Sequence, residues 1–131
     1  MKQVIIDTNA LIAIETFKID VFEEIENCLD VEYELCVVDG TIKELIKLKV
    51  DTKLSGKDKT AAKLALTILE HKIKNKKITV IKDDPKIDVD STLALFSSKK
   101  ALVLTQDKGL KSRLTKPYLT IRQKKRVVLI E

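Results

Sequence analysis

The fold is decided by the stretch Val4-Ile5-Ile6-Asp7-Thr8-Asn9-Ala10-Leu11-Ile12, near the start of this 131-residue chain. A short apolar run ends here in a carboxylate, a hydroxyl and an amide, after which apolar residues resume. This pattern predicts a buried strand that delivers Asp7 to the head of a helix. Ligands of open parallel sheets bind beyond the carboxyl ends of the strands, so Asp7 is expected to be either a helix cap or a metal ligand.

Length and composition limit the class of protein. The chain favours one domain, residues 1–131, that is long enough to bury a core. Hydrophobic residues make up 44% and charged residues 34%, and no long apolar window is present, which predicts a globular protein with no membrane segment. Asp7 and Glu15 interrupt the apolar run after Lys2, which a signal-peptide core would not tolerate, so we expect a cytoplasmic protein. The net charge is +5, and basic residues concentrate in the last third, which by itself indicates either a solvated lysine-rich surface or a nucleic-acid partner.

Apolar periodicity predicts strands that alternate with helices. Strand candidates are residues 2–6, 34–38, 77–82, 101–104, 117–121 and 126–130. Helix candidates are about 8–17, 20–29, 41 up to a loop at 50–59, 60–74, 91–98 and 108–114. The alternation predicts a three-layer α/β/α fold with a mostly parallel central sheet of about five strands. Right-handed crossovers then place every strand-to-helix turn on one rim of the sheet.

Acidic residues recur where the predicted strands hand over to helices: Asp7, Asp39 or Glu44, Asp88 or Asp90, and Asp107. Each has a structural explanation, because Asp is a preferred N-cap and Thr41-Ile42-Lys43-Glu44 matches a capping box. Four carboxylates gathered without basic partners would, however, repel one another.

A divalent cation would remove that repulsion. Oxygen ligands suit Mg²⁺ or Mn²⁺, and zinc is disfavoured because no His or Cys cluster is present; Cys28 and Cys36 lack metal-site spacing. Such a cation can activate water, and the basic last third of the chain can bind the phosphate backbone of a nucleic acid. The pattern therefore indicates a nuclease.

Four motifs resemble those of the PIN-domain nucleases, and the resemblance spans residues 2 to about 126. They are Ile5-Ile6-Asp7-Thr8-Asn9, Thr41-Ile42-Lys43-Glu44-Leu45, Val89-Asp90-Ser91-Thr92-Leu93 and Leu104-Thr105-Gln106-Asp107-Lys108-Gly109-Leu110-Lys111. The tail Thr120-Ile121-Arg122-Gln123-Lys124-Lys125 is similar to the last strands of the archaeal and rRNA-processing branch, which is related to toxin ribonucleases. The resemblance implies a PIN-like fold, a Mg²⁺ or Mn²⁺ site and endonucleolytic hydrolysis of RNA.

The resemblance also implies the roles of individual residues. The catalytic, metal-binding acids would be Asp7, Glu44, Asp90 and Asp107. Asp88 is a further candidate metal ligand, because Ser91 stands where related branches often carry a second acid. Thr8, Asn9 and Thr105 would orient the acids. Lys108, Lys111 and Arg113 would contact RNA phosphates, or else form ordinary helix surface.

Two other functions stay open at this point. One is a catalytically weak module with the same fold that binds RNA or a ribosome-assembly partner and uses the acids only as caps. The other is a phosphatase of the haloacid dehalogenase type, because Asp88-Val89-Asp90-Ser91-Thr92 is like the DxDxT motif of that family, although no strand is predicted directly before it. The expected partners are RNA, a second copy in a homodimer, and an antitoxin or ribosome-assembly partner.

Overall fold

The computed structural model describes residues 1–131. Its six strands are β1 (Lys2–Ile6), β2 (Tyr33–Val38), β3 (Thr79–Ile81), β4 (Leu102–Leu104), β5 (Tyr118–Arg122) and β6 (Arg126–Ile130). Its six helices are α1 (Thr8–Thr16), α2 (Val21–Cys28), α3 (Asp39–Val50), α4 (Gly56–Lys74), α5 (Val89–Ser98) and α6 (Lys108–Lys111). None of these helices combines the length and the apolar character needed to cross a bilayer.

The strands form one sheet in the order β3-β2-β1-β4-β5-β6. All neighbouring strands run parallel except β5 and β6, which form an antiparallel pair at one edge. The predicted, mostly parallel sheet is therefore confirmed, with six strands where about five were expected. Strand order changes direction between β1 and β4, and the carboxyl ends of these two strands border the crevice where such sheets bind ligands.

Alternate residues of the strands bury their side chains in two separate cores. Val4 and Ile6 belong to the larger core, which includes side chains from α1 to α4. Ile5 and Cys36 belong to the smaller core on the opposite face, together with side chains from α5 and α6. Because both faces of β1 are buried, its residues from Val4 to Ile6 are all apolar. Helices therefore cover both faces, and the three-layer prediction is confirmed.

The start of α3 differs from the prediction. The helix begins at Asp39 directly after β2, two residues before Thr41, and its N-cap residue Val38 makes no side-chain cap hydrogen bond. Thr41 consequently lies inside the first turn, where its hydroxyl is buried without a hydrogen-bond partner. The predicted capping box of Thr41 and Glu44 is therefore wrong, and the carboxylate of Glu44 is free for another role.

Two other helices also begin earlier than predicted, because a cap residue was missed. Ser55 accepts a hydrogen bond from the amide of Asp58 over 3.1 Å, so α4 begins at Gly56 and not at Thr60. Asp88 accepts from the amide of Ser91 over 3.0 Å, so α5 begins at Val89. At the other end of the chain, α6 is one short turn and does not reach Leu114.

Candidate functional site

Asp7 lies at the point where the strand order reverses. It follows β1, caps α1 and is only 5% exposed. Its Oδ1 accepts from the amide of Thr8 over 2.8 Å, and its Oδ2 accepts from the hydroxyl of Thr105 over 2.7 Å. Asp7 is therefore both a helix cap and a carboxylate that is held from the neighbouring strand, and neither expectation for it excludes the other.

The loop after β4 is attached to the same place by two hydrogen bonds. Oγ1 of the buried Thr105 accepts from the amide of Asp107 over 3.1 Å, so one hydroxyl joins the two acids. Oδ1 of Asn9 accepts from the amide of Gln106 over 3.1 Å. Thr105 thus touches an acid directly. Asn9 binds the backbone of the loop that carries Asp107, and its Oδ1 also lies 3.3 Å from the Thr105 hydroxyl.

Gln106 is a residue of this network that the sequence interpretation missed. Pairing between β4 and β5 ends at Leu104 and Leu119. Beyond that point, the Oε1 atom of Gln106 accepts from the amide of Ile121 over 2.9 Å. A side chain therefore continues the hydrogen bonding after the ladder has stopped, and it ties the loop of Thr105 and Asp107 to β5. No local sequence signal marks this role, since it depends on a strand that follows later in the chain.

Four carboxylates share one electrostatic neighbourhood at this rim. Burial raises the pKa of Asp7, and the charges of Asp90 and Asp107 raise it further, against hydrogen bonds from Thr105 and Thr8 that lower it. Burial and then the charge of Asp7 raise the pKa of Glu44. Burial, Asp107 and Asp88 raise the pKa of Asp90, although Arg113 lowers it. The structure thus brings Asp7, Glu44, Asp90 and Asp107 together from four separate parts of the chain.

No cation of the protein forms an ion pair with these four acids. The two ion pairs of the chain join Lys18 to Glu15 and Lys43 to Asp39. Inside the cluster, the Thr8 hydroxyl is buried without a hydrogen-bond partner, although it lies close enough to Glu44 to lower the pKa of that carboxyl. Carboxylate and hydroxyl oxygens are hard donors, so this donor set fits Mg²⁺ or Mn²⁺.

Ligation would require the side chains to move. No three of the acidic side chains stand where they could hold one ion together. Asp7 is fixed on both oxygens, whereas Glu44 and Asp90 are half-buried and Asp107 is exposed. The three less buried acids are therefore the ones that would rotate towards an ion at Asp7.

Asp88 has a different environment from Asp90. Its exposed carboxylate accepts from the amide of Ser91 over 3.0 Å and from the hydroxyl of Ser91 over 2.7 Å, and these bonds lower its pKa. The charge of Asp88 is one of those that raise the pKa of Asp90. Six residues, 82–87, also separate Asp88 from the end of β3. The strand that a dehalogenase-type phosphatase needs directly before its nucleophile is therefore absent.

The three basic residues predicted to contact phosphates lie on or just after α6. Lys108 is exposed and Lys111 is half-buried, and neither forms an ion pair. Nη2 of Arg113 donates to Oγ of Ser91 over 2.7 Å, which places its guanidinium beside the start of α5. All three thus start from the Asp107 side of the acidic cluster, and the guanidinium of Arg113 extends from there to Ser91, next to Asp90.

Comparisons with known proteins agree with this architecture. A family model described as "PIN like domain" matches residues 4–124. The chain is 33% identical over 130 residues to a protein of Methanocaldococcus jannaschii named Ribonuclease VapC4, covering 95% of this chain and 94% of that protein. A solved structure described as the PIN domain endonuclease Utp24 has a TM-score of 0.74 and 26% identity, over 97% of this chain and 90% of the other. A domain of a functionally unknown protein from Methanocaldococcus jannaschii is similar in fold, with a TM-score of 0.56 and 15% identity over 86% of this chain and 83% of its own.

Proposed function

This chain belongs to the PIN-like domain family, and we propose that it is an endoribonuclease that hydrolyses phosphodiester bonds of RNA with the help of Mg²⁺ or Mn²⁺. The relative named a ribonuclease and the neighbour described as an endonuclease support the reaction class. The burial and the charges of the chain's own acidic residues support the metal requirement.

One observation carries the proposal. Asp7 is a buried carboxylate whose pKa is raised, and the charges of Asp90 and Asp107 add to that rise although no lysine or arginine pairs with any of them. Gathering charges of one sign at a partly buried site costs stability unless a counter-charge is bound. A cation-binding function accounts for that cost, whereas helix capping alone needs neither Glu44 nor Asp90 at this rim.

The roles of the residues follow from their positions. Asp7, Glu44, Asp90 and Asp107 would hold the cation, while Thr105 keeps Asp7 in orientation and Thr8 and Asn9 support it from α1. A bound Mg²⁺ or Mn²⁺ supplies a Lewis acid that polarises the phosphodiester and promotes attack by water. Lys108, Lys111 and Arg113 would contact phosphates of the RNA chain on the Asp107 side. Asp88 is left as the cap of α5.

The test is cleavage of single-stranded RNA by the purified protein with Mg²⁺, Mn²⁺ or a chelator. We expect cleavage with Mn²⁺ or Mg²⁺, none with the chelator, and none by Asp7→Asn. Asp30→Asn is the matched control, since Asp30 is exposed and precedes β2 at the opposite rim of the sheet. A wild-type protein that binds RNA but cuts it with no divalent ion would contradict the proposal and favour the RNA-binding or ribosome-assembly module.

We propose two alternative roles in the cytoplasm: the protein is either an RNA-processing enzyme or a toxin ribonuclease. A toxin is expected to arrest growth when induced, to lose this effect in Asp7→Asn and to be neutralised by a co-expressed antitoxin partner. A processing enzyme is expected to leave an uncut RNA precursor when its gene is deleted, and to co-purify with ribosome-assembly proteins. Light scattering of the purified chain tests the expected homodimer.

A further inference from the structure

A cavity of about 220 Å³ adjoins the acidic cluster on the side away from α6. One wall is the exposed side of α3, with Lys43, Glu44 and Lys47. The facing wall is the segment 83–89, which joins β3 to α5 and includes Pro85 and Ile87. Glu44 therefore belongs both to this cavity and to the acidic cluster.

The two walls are held together before any ligand arrives. The amide of Gly40 at the start of α3 donates to Oδ2 of Asp83 over 3.1 Å. A Cβ atom at position 40 would lie 2.6 Å from Cγ2 of Val89 and 2.7 Å from Oδ2 of Asp83, so only glycine permits this close approach. The amides of Lys86 and Ile87 both donate back to Asp84, over 2.9 and 3.0 Å, and fix the turn. The cavity is therefore a built feature of the fold.

The chemistry of the walls differs. Lys43 and Lys47 lie one helical turn apart on α3, and both are exposed. The only ion pair of either is the 3.4 Å contact of Lys43 with Asp39, a surface pair that is easily exchanged. The facing wall is apolar at Pro85, Ile87 and Val89, and Ile87 is 43% exposed. It also carries the carboxylates of Asp83 and Asp88, which are engaged by the Gly40 amide and by Ser91. An RNA nucleotide has both matching parts, an anionic phosphate and a base with an apolar face.

The position of the cavity relative to the sheet indicates the path that a bound RNA strand would follow across the rim. α3 follows β2 and α6 follows β4, and β1 lies between these strands. An RNA strand that crosses the rim from Lys108 and Lys111 passes Asp7 and then reaches Lys47. The strand order thus places the lysines of α3 on one side of Asp7 and those of α6 on the other.

We propose that the cavity between α3 and the segment 83–89 is a binding subsite for the nucleotide next to the scissile phosphate of a single-stranded RNA. Lys43 and Lys47 bind its phosphate, and Ile87 and Pro85 contact its base. The assignment rests on the proposed function, because Glu44 joins this subsite to the hydrolytic site.

The first test uses Ile87→Ser and Lys47→Gln in steady-state cleavage of RNA with Mn²⁺. We expect KM to rise about fivefold to tenfold and kcat to stay within about twofold, as for a contact made equally in the ground state and the transition state. The matched controls are Leu95→Ser, an exposed apolar residue of α5, and Lys63→Gln, an exposed lysine of α4. Melting temperatures equal to wild type establish that the variants fold, and Ile87→Leu is expected to retain the wild-type KM. Unchanged KM in both cavity variants would overturn the proposal.

The second test separates this subsite from the hydrolytic function. A fluorescent single-stranded pentanucleotide is titrated into the Asp7→Asn protein, with and without Ile87→Ser, and its anisotropy is recorded. We expect the Ile87→Ser change to raise Kd about fivefold to tenfold even where no cleavage occurs. If the wild type never cuts RNA while this rise in Kd is found, the proposed function fails and the subsite stands. An equal Kd with and without Ile87→Ser refutes the subsite, whatever the cleavage assay shows.

Discussion

The hydroxyl of Thr105 donates to Oδ2 of Asp7 over 2.7 Å, and the two residues are 98 positions apart in the sequence. The bond joins the carboxyl ends of β1 and β4 at the point where the strand order reverses. The same Thr105 oxygen accepts from the amide of Asp107 over 3.1 Å. One hydroxyl thus sets the orientation of a buried acid and the position of a second acid.

Thr105→Val should separate shape from hydrogen bonding, because valine has nearly the volume of threonine but no hydroxyl. We expect the affinity for Mn²⁺ to fall about tenfold to a hundredfold. We also expect the free energy of unfolding to fall by about 1–3 kcal/mol, since a buried carboxylate oxygen loses its donor. Mn²⁺ titration by calorimetry and urea unfolding measure the two effects. Thr105→Ser retains the hydroxyl and should stay near wild type; equal losses in both variants would contradict this role.

Stability without metal should depend on pH with a defined sign. Asp7, Glu44 and Asp90 have raised pKa values, so the folded state binds protons more readily than the unfolded state. The metal-free protein therefore gains stability as the pH falls from neutral through the raised pKa values towards the ordinary ones. The pKa of Asp88 is lowered, so the stability that its carboxylate contributes is lost only when the pH falls below the ordinary aspartate pKa.

Bound Mn²⁺ should act in the opposite direction, because protons compete with it for the same carboxylates. At about a hundredfold excess over Kd, the ion should add about 3 kcal/mol at neutral pH. That gain should shrink as the pH falls through the raised pKa values. Thermal unfolding scans with and without Mn²⁺ at several pH values measure the difference, and a gain that does not depend on pH would count against carboxylate ligands.

Asp90→Asn and Asp88→Asn should have different effects, although the two positions are only two residues apart. Asp90→Asn should lower kcat/KM for RNA about a hundredfold or more and raise the stability of the metal-free protein, since it removes a charge that repels Asp7. Asp88→Asn should leave kcat and stability near wild type, because asparagine is an equally good N-cap. The same assays on both proteins decide the assignment. A reversed pattern would make Asp88 the third ligand.

Gln106→Ala should loosen the loop that carries Thr105 and Asp107. The Ile121 amide loses its acceptor, so its hydrogen exchange should become faster and the free energy of unfolding should fall by about 1 kcal/mol. Mn²⁺ affinity should fall as well, because the loop is no longer tied to β5. Gln106→Glu keeps an acceptor oxygen and should preserve slow exchange at Ile121. Unaltered exchange in Gln106→Ala would show that the bond is dispensable.

Gly40→Ala should cost about 1–3 kcal/mol of stability, since its Cβ would collide with Val89 and Asp83. Gly56→Ala is the matched control. It is also in the first turn of a helix, no atom lies within 4 Å of the added Cβ, and alanine there should stabilise by about 0.5 kcal/mol. Urea unfolding of the two variants gives the comparison. A Gly40→Ala protein as stable as wild type would refute the close approach of α3 to the segment 83–89.

The outline of the fold could be predicted from the sequence because the local periodicity of apolar residues indicates each strand and helix. The bounds predicted for β1 and β6 are those of the structure, as is the end of α4 at Lys74. The errors concern helix starts. The sequence predicts Thr41, Thr60 and Ser91 as first helical residues, whereas the helices begin two to four residues earlier. Caps at Ser55 and Asp88, and a strand that runs straight into α3, set those starts.

The strand ends in the sequence indicated Asp7 and Asp107 but left Asp39 or Glu44 and Asp88 or Asp90 open, and the resemblance to PIN-domain nucleases singled out Glu44 and Asp90. Which of these acids face one another could not be predicted from the sequence. Whether Asp88 or Asp90 faces Asp7 depends on which of them caps α5, and the role of Gln106 depends on where β4 stops pairing with β5.

By itself, the sequence determined the order of strands and helices, the two apolar faces of the sheet, and the presence of a carboxylate at the end of β1. These follow from side-chain periods of two and of about 3.6, which neighbouring residues establish among themselves. Only the tertiary structure decided that β1 and β4 are adjacent, that Thr105 therefore reaches Asp7, and that Glu44 is not held in a capping box. The physical reason is that strand adjacency is set by crossover connections between distant segments, and no local pattern encodes it.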